Sequence, residues 1–228
     1  MKQIALDIGL AIGPTLKSFF AGPNAAALEH LELWLGNKAS ASTRSPVPTY
    51  LWGGEGSGKT HLLKAVQARL REQGATVGWF DASVPEPAPF DEHWAAVLMD
   101  DVHLYTAAQQ HAAFNWFVNA QTFQRGVLSA GSLPPSELKL RDDLRTRLGW
   151  GHVFELQVLS ETERRAVLRQ AADARGLFLG DEVMDFMLTR FSRDLGSLME
   201  LLDLIDGYAL QTKRGITIPL IKSMMAES

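Results

Sequence analysis

The chain has 228 residues, of which 46% are hydrophobic, and its formal net charge at pH 7 is −4. This length allows one large domain or a large domain followed by a small one, and the apolar fraction excludes intrinsic disorder. The sequence contains no cysteine, which excludes disulfide scaffolds, thiolate zinc sites and cysteine nucleophiles. Neither half of the chain is basic, so we expect no broad positive surface for nucleic acid. Because there is no long apolar run and no signal-peptide pattern, we expect a cytoplasmic protein without a membrane partner.

The N-terminal region predicts a tail, a helix and a loop. Glycine and proline interrupt any helical pattern in residues 1–14, which therefore predict an extended tail. Asn24 is placed to cap a helix whose leucines at positions 28, 31 and 35 share one face. Residues 38–48 are rich in Ala, Ser, Thr and Pro and predict a loop.

Short apolar runs then alternate with helical patterns. Helices are predicted from Lys59 to Gly74 and over 111–124. Such an alternation is typical of a parallel sheet with helices on both faces, which makes the fold class α/β. The five predicted strands are 49–52, 76–80, 95–99, 126–129 and 153–156.

After residue 159 the pattern is helical only, which predicts a small all-α bundle. Ser160 and Glu163 have the spacing of a capping box. Asp181 is predicted to cap a second helix, and Pro219 suits the first turn of the last one. The predicted segments are therefore a tail, an α/β domain and a helical domain, over residues 1–14, 15–159 and 160–228.

A glycine-rich segment after the first predicted strand fits the phosphate-binding pattern G-x-x-x-x-G-K-[ST] at every fixed position. Glycines let backbone N–H groups point at phosphate oxygens, and the helix that follows adds its positive N-terminus. Lys59 is expected to reach the β- and γ-phosphates, and the Thr60 hydroxyl to ligate Mg²⁺. The strand before the pattern and the helix after it make a chance glycine turn the less favoured interpretation. The residues predicted to bind ATP or ADP are Gly53, Gly54, Gly56, Ser57, Gly58, Lys59 and Thr60.

Two carboxylates directly follow the third predicted strand. A phosphate site of this kind needs an acidic strand end near its metal ion, so we expect Asp100 to hold Mg²⁺ through its water shell. Asp101 is expected to orient an attacking water. The alternative is a helix-capping pair after a buried strand, which the neighbouring phosphate-binding pattern disfavours.

Six motifs follow one another over about residues 15–225. They are T-L-K-S-F-F-A-G-P-N at 15–24, G-K-T-H-L at 58–62, M-D-D-V at 99–102, P-P-S-E-L at 134–138, L-R-T-R-L-G-W-G at 144–151 and R-D-L-G-S-L at 193–198. In this order they resemble the motifs of the DnaA family of AAA+ ATPases. The resemblance implies an AAA+ fold, in which helices sandwich a P-loop parallel sheet and a small all-α lid domain follows.

The resemblance also implies roles for particular side chains. Phe20 and Ala21 fall in the family's entry segment, which packs on adenine, and His61 falls in the motif that follows the P-loop lysine. Arg193 falls on the sensor arginine of the lid, which contacts the nucleotide in cis. Arg147 falls on the arginine finger that reaches the γ-phosphate held by a neighbouring subunit.

Arg145 and Ser132 are not given a role of this kind. Arg145 is assigned to a solvated helix face. Ser132 stands where the family has an aspartate, and a neutral hydroxyl cannot carry that charge. We therefore expect this chain to be a weak ATPase by itself.

The tail carries the hexapeptide Q-I-A-L-D-I, which resembles the peptide by which bacterial proteins bind the sliding clamp, the beta subunit of DNA polymerase III. Alternate side chains of an extended peptide share one side and can enter a preformed pocket. The predicted clamp contacts are Gln3, Ile4, Leu6 and Ile8. The alternative for so short a motif is an edge strand or a frayed terminus.

Together the motifs imply a negative regulator of bacterial replication initiation that binds the clamp and stimulates hydrolysis of DnaA-bound ATP. We expect no helix-turn-helix domain, no strong direct DNA binding, and nucleoid association through the clamp. ADP and ATP both remain open as the resident nucleotide, as does a homo-oligomer. The alternatives are a stand-alone AAA+ ATPase of the helicase-loader type and an interaction module that leaves hydrolysis unchanged.

Overall fold

The computed structural model describes residues 14–36, 47–191 and 195–227. The predicted clamp hexapeptide and Arg193 lie outside these residues. The chain divides into two compact units. The first contains the described part of Met1–Gly53 together with Gly58–Leu156, and the second contains Gly54–Ser57 together with the described part of Gln157–Ser228. The boundary between 159 and 160 stays a prediction.

The first unit is built on a five-stranded sheet in which every neighbouring pair of strands is parallel. The strand order is β2-β3-β4-β1-β5. The three central strands are almost entirely buried, as expected of a parallel sheet covered on both faces. The strands are β1 Thr49–Trp52, β2 Val77–Phe80, β3 Ala96–Met99, β4 Gly126–Gly131 and β5 His152–Glu155.

Four α-helices accompany the sheet. Asn24 is the N-cap residue of α1, as predicted, but its side chain makes no capping hydrogen bond. The third helix, α3, begins four residues earlier than predicted, because Thr106 and Gln109 form a capping box that the sequence analysis did not use. The helices are α1 Ala25–Leu35, α2 Lys59–Glu72, α3 Ala107–Thr122 and α4 Asp142–Leu148, with short 3₁₀ helices at Gly22–Asn24, Val102–Leu104 and Pro135–Glu137.

The core of this unit lies in two layers, one on each face of the sheet. Alternate residues of a strand point to opposite faces, and β3 divides its side chains accordingly. Val97 and Met99 pack with Phe117 of α3. Ala96 and Leu98 pack in the other layer, with residues of α1 and α2. The predicted α/β sheet between helical layers is confirmed.

The second unit is helical apart from its short glycine-rich segment. Its core includes buried leucine, isoleucine and methionine side chains from all four helices. Pro219 lies in the first turn of the last helix, as predicted. The described residues form no helix that combines the length and apolarity needed to cross a membrane. The helices are α5 Glu161–Ala174, α6 Asp181–Arg190, α7 Leu195–Thr212 and α8 Ile218–Glu227.

The two predicted caps of this unit differ in outcome. The capping box is confirmed, because the Glu163 N–H donates to the Ser160 hydroxyl at 3.3 Å and the Ser160 N–H donates to the Glu163 carboxylate at 2.7 Å. The cap at Asp181 is wrong, since Gly180 is the N-cap residue and Asp181 is the first residue of α6. Its carboxylate instead accepts a hydrogen bond from Arg169 of α5 at 2.6 Å.

Replacement of Ser160 by alanine is expected to destabilise the helical unit by about 1 kcal/mol, because it removes the side-chain acceptor for an N–H group of the first turn. Urea unfolding followed by circular dichroism measures this loss. Ser160→Asp keeps an acceptor at the N-cap and serves as the control, for which we expect nearly wild-type stability. Equal stability of the Ser160→Ala and Ser160→Asp variants would contradict the prediction.

Candidate nucleotide-binding site

The glycine-rich segment connects the end of β1 to the start of α2. Gly56 and Gly58 have φ values of 75° and 93°, in the left-handed region that residues with a Cβ rarely adopt. The Gly53 N–H donates to the carbonyl of Gly131 at 3.3 Å, which ties the start of the loop to the end of β4. The loop therefore has the strand–turn–helix setting expected of a phosphate-binding loop.

Lys59 is the first residue of α2, and its side chain is buried at 8% exposure. Its ammonium group donates to the carbonyl of Gly53 at 2.8 Å. The lysine side chain thus folds back to the residue with which the glycine-rich segment begins.

Thr60 and Asp100 come together although they are far apart in the sequence. The Thr60 hydroxyl hydrogen-bonds to the Asp100 carboxylate, which also accepts the Asp101 N–H at 3.0 Å. Burial raises the pKa of Asp100, and the bond from Thr60 offsets part of that rise. Asp101 has a φ of 49°, a strained value for a residue with a side chain, directly after β3.

The donor atoms of this pair fit Mg²⁺, which prefers oxygen ligands and usually takes only one or two from the protein, with the rest from phosphates and water. The Thr60 hydroxyl and the Asp100 carboxylate supply two such oxygens. In the described ranges of the chain, no three His, Cys, Asp or Glu side chains form a cage that could hold a metal ion alone.

The entry segment packs on the phosphate-binding loop through Phe19. A Cβ atom built on Gly58 would lie 2.6 Å from Cε2 of Phe19, so the ring occupies the space beside this glycine. The imidazole Nε2 of His61 lies 3.0 Å from the carbonyl oxygen of Thr15, and the His61 and Phe19 rings are 5.7 Å apart.

Phe19 is the residue of the entry segment that the sequence analysis missed. The predicted contacts Phe20 and Ala21 are both half-buried. The signal was present, because Phe19 lies in the same entry segment, directly before Phe20. The roles of Phe20 and Ala21 toward adenine stay predictions.

Burial of His61 has a consequence for the dependence of stability on pH. Burial lowers the pKa of His61 below the ordinary 6.5, and the hydrogen bond with the Thr15 carbonyl offsets this only in part. As the pH falls below 6.5, the unfolded chain therefore binds a proton at this position before the folded chain does. The stability attributable to neutral His61 is lost over that interval, with a slope of at most about 1.4 kcal/mol per pH unit.

We therefore expect His61→Gln to lose less stability than the wild type between pH 7 and pH 5.5. The measurement is the free energy of unfolding in urea at several pH values. His93→Gln is the matched control, because the His93 side chain is 81% exposed. A His61→Gln slope equal to that of the wild type would refute the assignment.

Arg147 lies on α4, and its guanidinium contacts aromatic rings. Its Cζ is 5.7 Å from the ring centroid of Phe114 and 5.9 Å from that of Trp150. Within the described residues it forms no ion pair with a carboxylate, whereas Arg145 pairs with Asp142 at 2.7 Å. The contacts that the structure gives for the Arg147 guanidinium are thus with aromatic rings.

Ser132 follows β4 and is half-buried. Nearby, the Tyr50 hydroxyl donates to the carbonyl of Leu133 at 2.8 Å, which fixes the turn after the strand. The effect of Ser132 on hydrolysis stays a prediction.

Comparisons with known proteins agree with this architecture. Residues 161–225 match the family model described as the lid domain of Hda. The chain is similar to domain III of the replication initiation protein DnaA from Thermotoga maritima, with a TM-score of 0.72 and 19% identity over 99% of this chain and 98% of that one. AMPPCP-bound DnaA from Aquifex aeolicus is similar with a TM-score of 0.66 and 22% identity, over 85% of this chain and 65% of that one. The RuvB Holliday junction branch migration motor of Thermotoga maritima gives a TM-score of 0.64 and 17% identity, over 93% and 71%.

The chain thus has the fold of DnaA domain III and of RuvB, with a glycine-rich loop between β1 and α2. More narrowly, residues 161–225 of its helical unit match the lid domain of Hda.

Proposed function

We propose that this chain is a negative regulator of bacterial replication initiation that binds nucleotide and stimulates hydrolysis of ATP held by DnaA. This is the activity of Hda, the regulatory inactivator of DnaA. The observation that carries the proposal is the match of residues 161–225 to the Hda lid on a chain with a DnaA-like fold.

The proposed nucleotide is ADP or ATP, bound with Mg²⁺. The glycine-rich loop and Lys59 would hold the phosphates, and Thr60 and Asp100 would hold the metal ion. When bound, Mg²⁺ neutralises charge on the phosphates. The similar DnaA from Aquifex aeolicus is bound to the ATP analogue AMPPCP, which supports a nucleotide in this fold. Asp101 would orient water in the chain's own site, and Arg193 would contact the nucleotide from the lid.

Arg147 is the residue through which the chain would act on DnaA. A guanidinium placed at the γ-phosphate of a neighbouring subunit stabilises the charge that develops as the phosphoryl group leaves. Arg147 is suited to this because its described contacts are with rings rather than with carboxylates, so its charge is not neutralised by an ion pair.

The sliding clamp is the second proposed partner. Gln3, Ile4, Leu6 and Ile8 would bind it as an extended peptide, a proposal that rests on the hexapeptide pattern alone. Such a tether would concentrate the chain near DNA on which clamps remain, and a tether of this kind raises effective concentration without new contacts to DnaA.

The test is hydrolysis of radiolabelled ATP preloaded on DnaA, in the presence of DNA loaded with clamp. We expect the wild type to accelerate hydrolysis and the double variant Gln3→Ala/Leu6→Ala to lose most of this effect. The same variant without clamp is the control, since it should then match the wild type. If the wild type leaves the half-life of DnaA-bound ATP unchanged, the regulatory proposal fails.

A stand-alone ATPase of the helicase-loader type is the second candidate, favoured by the paired Thr60 and Asp100 beside Lys59. Such an enzyme should hydrolyse ATP by itself and respond to single-stranded DNA. The regulator should show slow turnover that single-stranded DNA does not change, because Ser132 replaces an acidic residue of the family motif. A strong response to single-stranded DNA would favour the loader.

A further inference from the structure

The guanidinium of Arg147 lies among three aromatic rings, which we call the aromatic cage: Phe114, Phe117 and Trp150. We infer that Phe114 and Trp150 are positioning residues that hold Arg147 for its action on a nucleotide of another subunit. This inference rests on the proposed function, and it assigns a role to two side chains outside the finger itself.

The cage has a rigid side and an exposed side. Phe114 and Phe117 lie three residues apart on α3 and so share one face of that helix. Phe117 is fully buried in the core of the first unit, and its ring centroid is 6.0 Å from Cζ of Arg147. Trp150 is the exposed member, with 67% of its surface exposed, and its backbone N–H donates to the carbonyl of Arg147 at 3.2 Å.

Two neighbouring arginines, Arg141 and Arg145, are paired with carboxylates. Arg141 also lies near the Phe114 ring, at 5.6 Å, but it is held by Asp143 through two hydrogen bonds of 2.6 and 3.1 Å. Arg145 is paired with Asp142. Of these three arginines, Arg147 is the one for which the described part of the chain shows ring contacts without an ion pair.

Ring contacts suit an arginine that must act on a partner's phosphate. A carboxylate would cancel much of the positive charge and would have to be displaced before the guanidinium could reach a phosphate. A cation–π contact leaves the charge intact and restricts the rotamers of a long side chain. At a partly exposed site its attraction is weak, so that a contact with the partner's phosphate can replace it. The cage therefore lowers the entropic cost of presenting the guanidinium, which is an effect on orientation.

An orientation effect makes a distinctive kinetic prediction. Trp150→Leu and Phe114→Leu should lower the maximal rate of hydrolysis of DnaA-bound ATP at saturating chain by about three- to tenfold. The concentration that gives half-maximal stimulation should change less than the maximal rate. Trp150→Phe and Phe114→Tyr keep a ring at each position and should restore most of the rate. Phe123→Leu, which replaces a 41%-exposed ring just after α3, is the matched control.

A second readout is independent of DnaA. Protons near a guanidinium stacked over ring faces resonate upfield, so in the wild type the Arg147 δ-methylene signals should be displaced relative to those of Arg145. Arginine-labelled protein and the Arg147→Lys variant allow the assignment. The displacement should shrink in both leucine variants and persist in Trp150→Phe, Phe114→Tyr and Phe123→Leu.

The outcomes separate the inference from the function on which it rests. If the wild type does not stimulate hydrolysis, the proposed function fails, whatever the leucine variants do. If it does stimulate and both leucine variants reach the wild-type maximal rate, the positioning role is overturned. Absence of the upfield displacement in the wild type would also overturn it. A loss of rate that the ring-keeping variants do not restore would assign the two residues to general stability instead.

Discussion

Arg147→Ala is expected to lower the stimulated rate of DnaA-bound ATP hydrolysis by about a hundredfold or more. In other nucleoside triphosphatases, an arginine finger supplied in trans contributes on the order of 10³–10⁵ in rate. Alanine removes the guanidinium and leaves the aromatic cage without its cation. The measurement is single-turnover hydrolysis of labelled ATP on DnaA, with the clamp loaded on DNA and the variant in excess.

Arg145→Ala is the matched control for this experiment, since Arg145 lies on the same short helix and is paired with Asp142. It removes an equal charge two residues away and should leave stimulation near the wild-type level. Arg147→Lys keeps the charge without the planar fork and should recover only a small part of the rate. Equal stimulation by the Arg147→Ala variant and the wild type would exclude Arg147 as the finger.

The sheet could be predicted because its physical cause is local. Central strands of a parallel sheet are buried on both faces, so each must be an apolar run of limited length. β3 has this form and ends where two aspartates begin. β1 is observed with the predicted bounds, and the other four strands differ from the prediction by one or two residues at their ends.

The setting of the glycine-rich loop could be predicted for a related reason. The pattern predicts that a helix begins after its last glycine, and α2 does begin at Lys59. The carboxyl ends of parallel strands lie along one edge of a sheet, so an aspartate after β3 is brought near a loop after β1. The hydrogen bond between Thr60 and Asp100 is the result.

The contacts that escaped prediction depend on how separate helices pack. Phe114 and Arg147 are on different helices, and no pattern along the sequence indicates that their side chains meet. Asp181 has the residue type of a cap, yet the arginine side chains of α5 attract its carboxylate instead. A rule based on nearby sequence cannot include a competing partner supplied by another helix.

Lys59→Ala is expected to weaken the affinity of this chain for ADP by about ten- to a hundredfold, because hydrogen bonds to a charged group contribute roughly 1.5–3 kcal/mol. The buried ammonium already lies against the loop, at 2.8 Å from the Gly53 carbonyl. Its loss leaves the phosphates without a cation at that point. Isothermal titration calorimetry with ADP and Mg²⁺ measures the change, and Lys64→Ala, which alters an exposed lysine on the same helix, is the control.

The expected effects of Lys59→Ala and Arg147→Ala concern two different nucleotides, so the two experiments are informative together. Lys59 would act on the chain's own nucleotide, whereas Arg147 would act on a nucleotide held by DnaA. Arg147→Ala should therefore leave the affinity for ADP unchanged while it abolishes stimulation, and Lys59→Ala should lower that affinity directly. If Arg147→Ala also weakened ADP binding to the same degree, the guanidinium would belong to the chain's own site, and the action in trans would have to be abandoned.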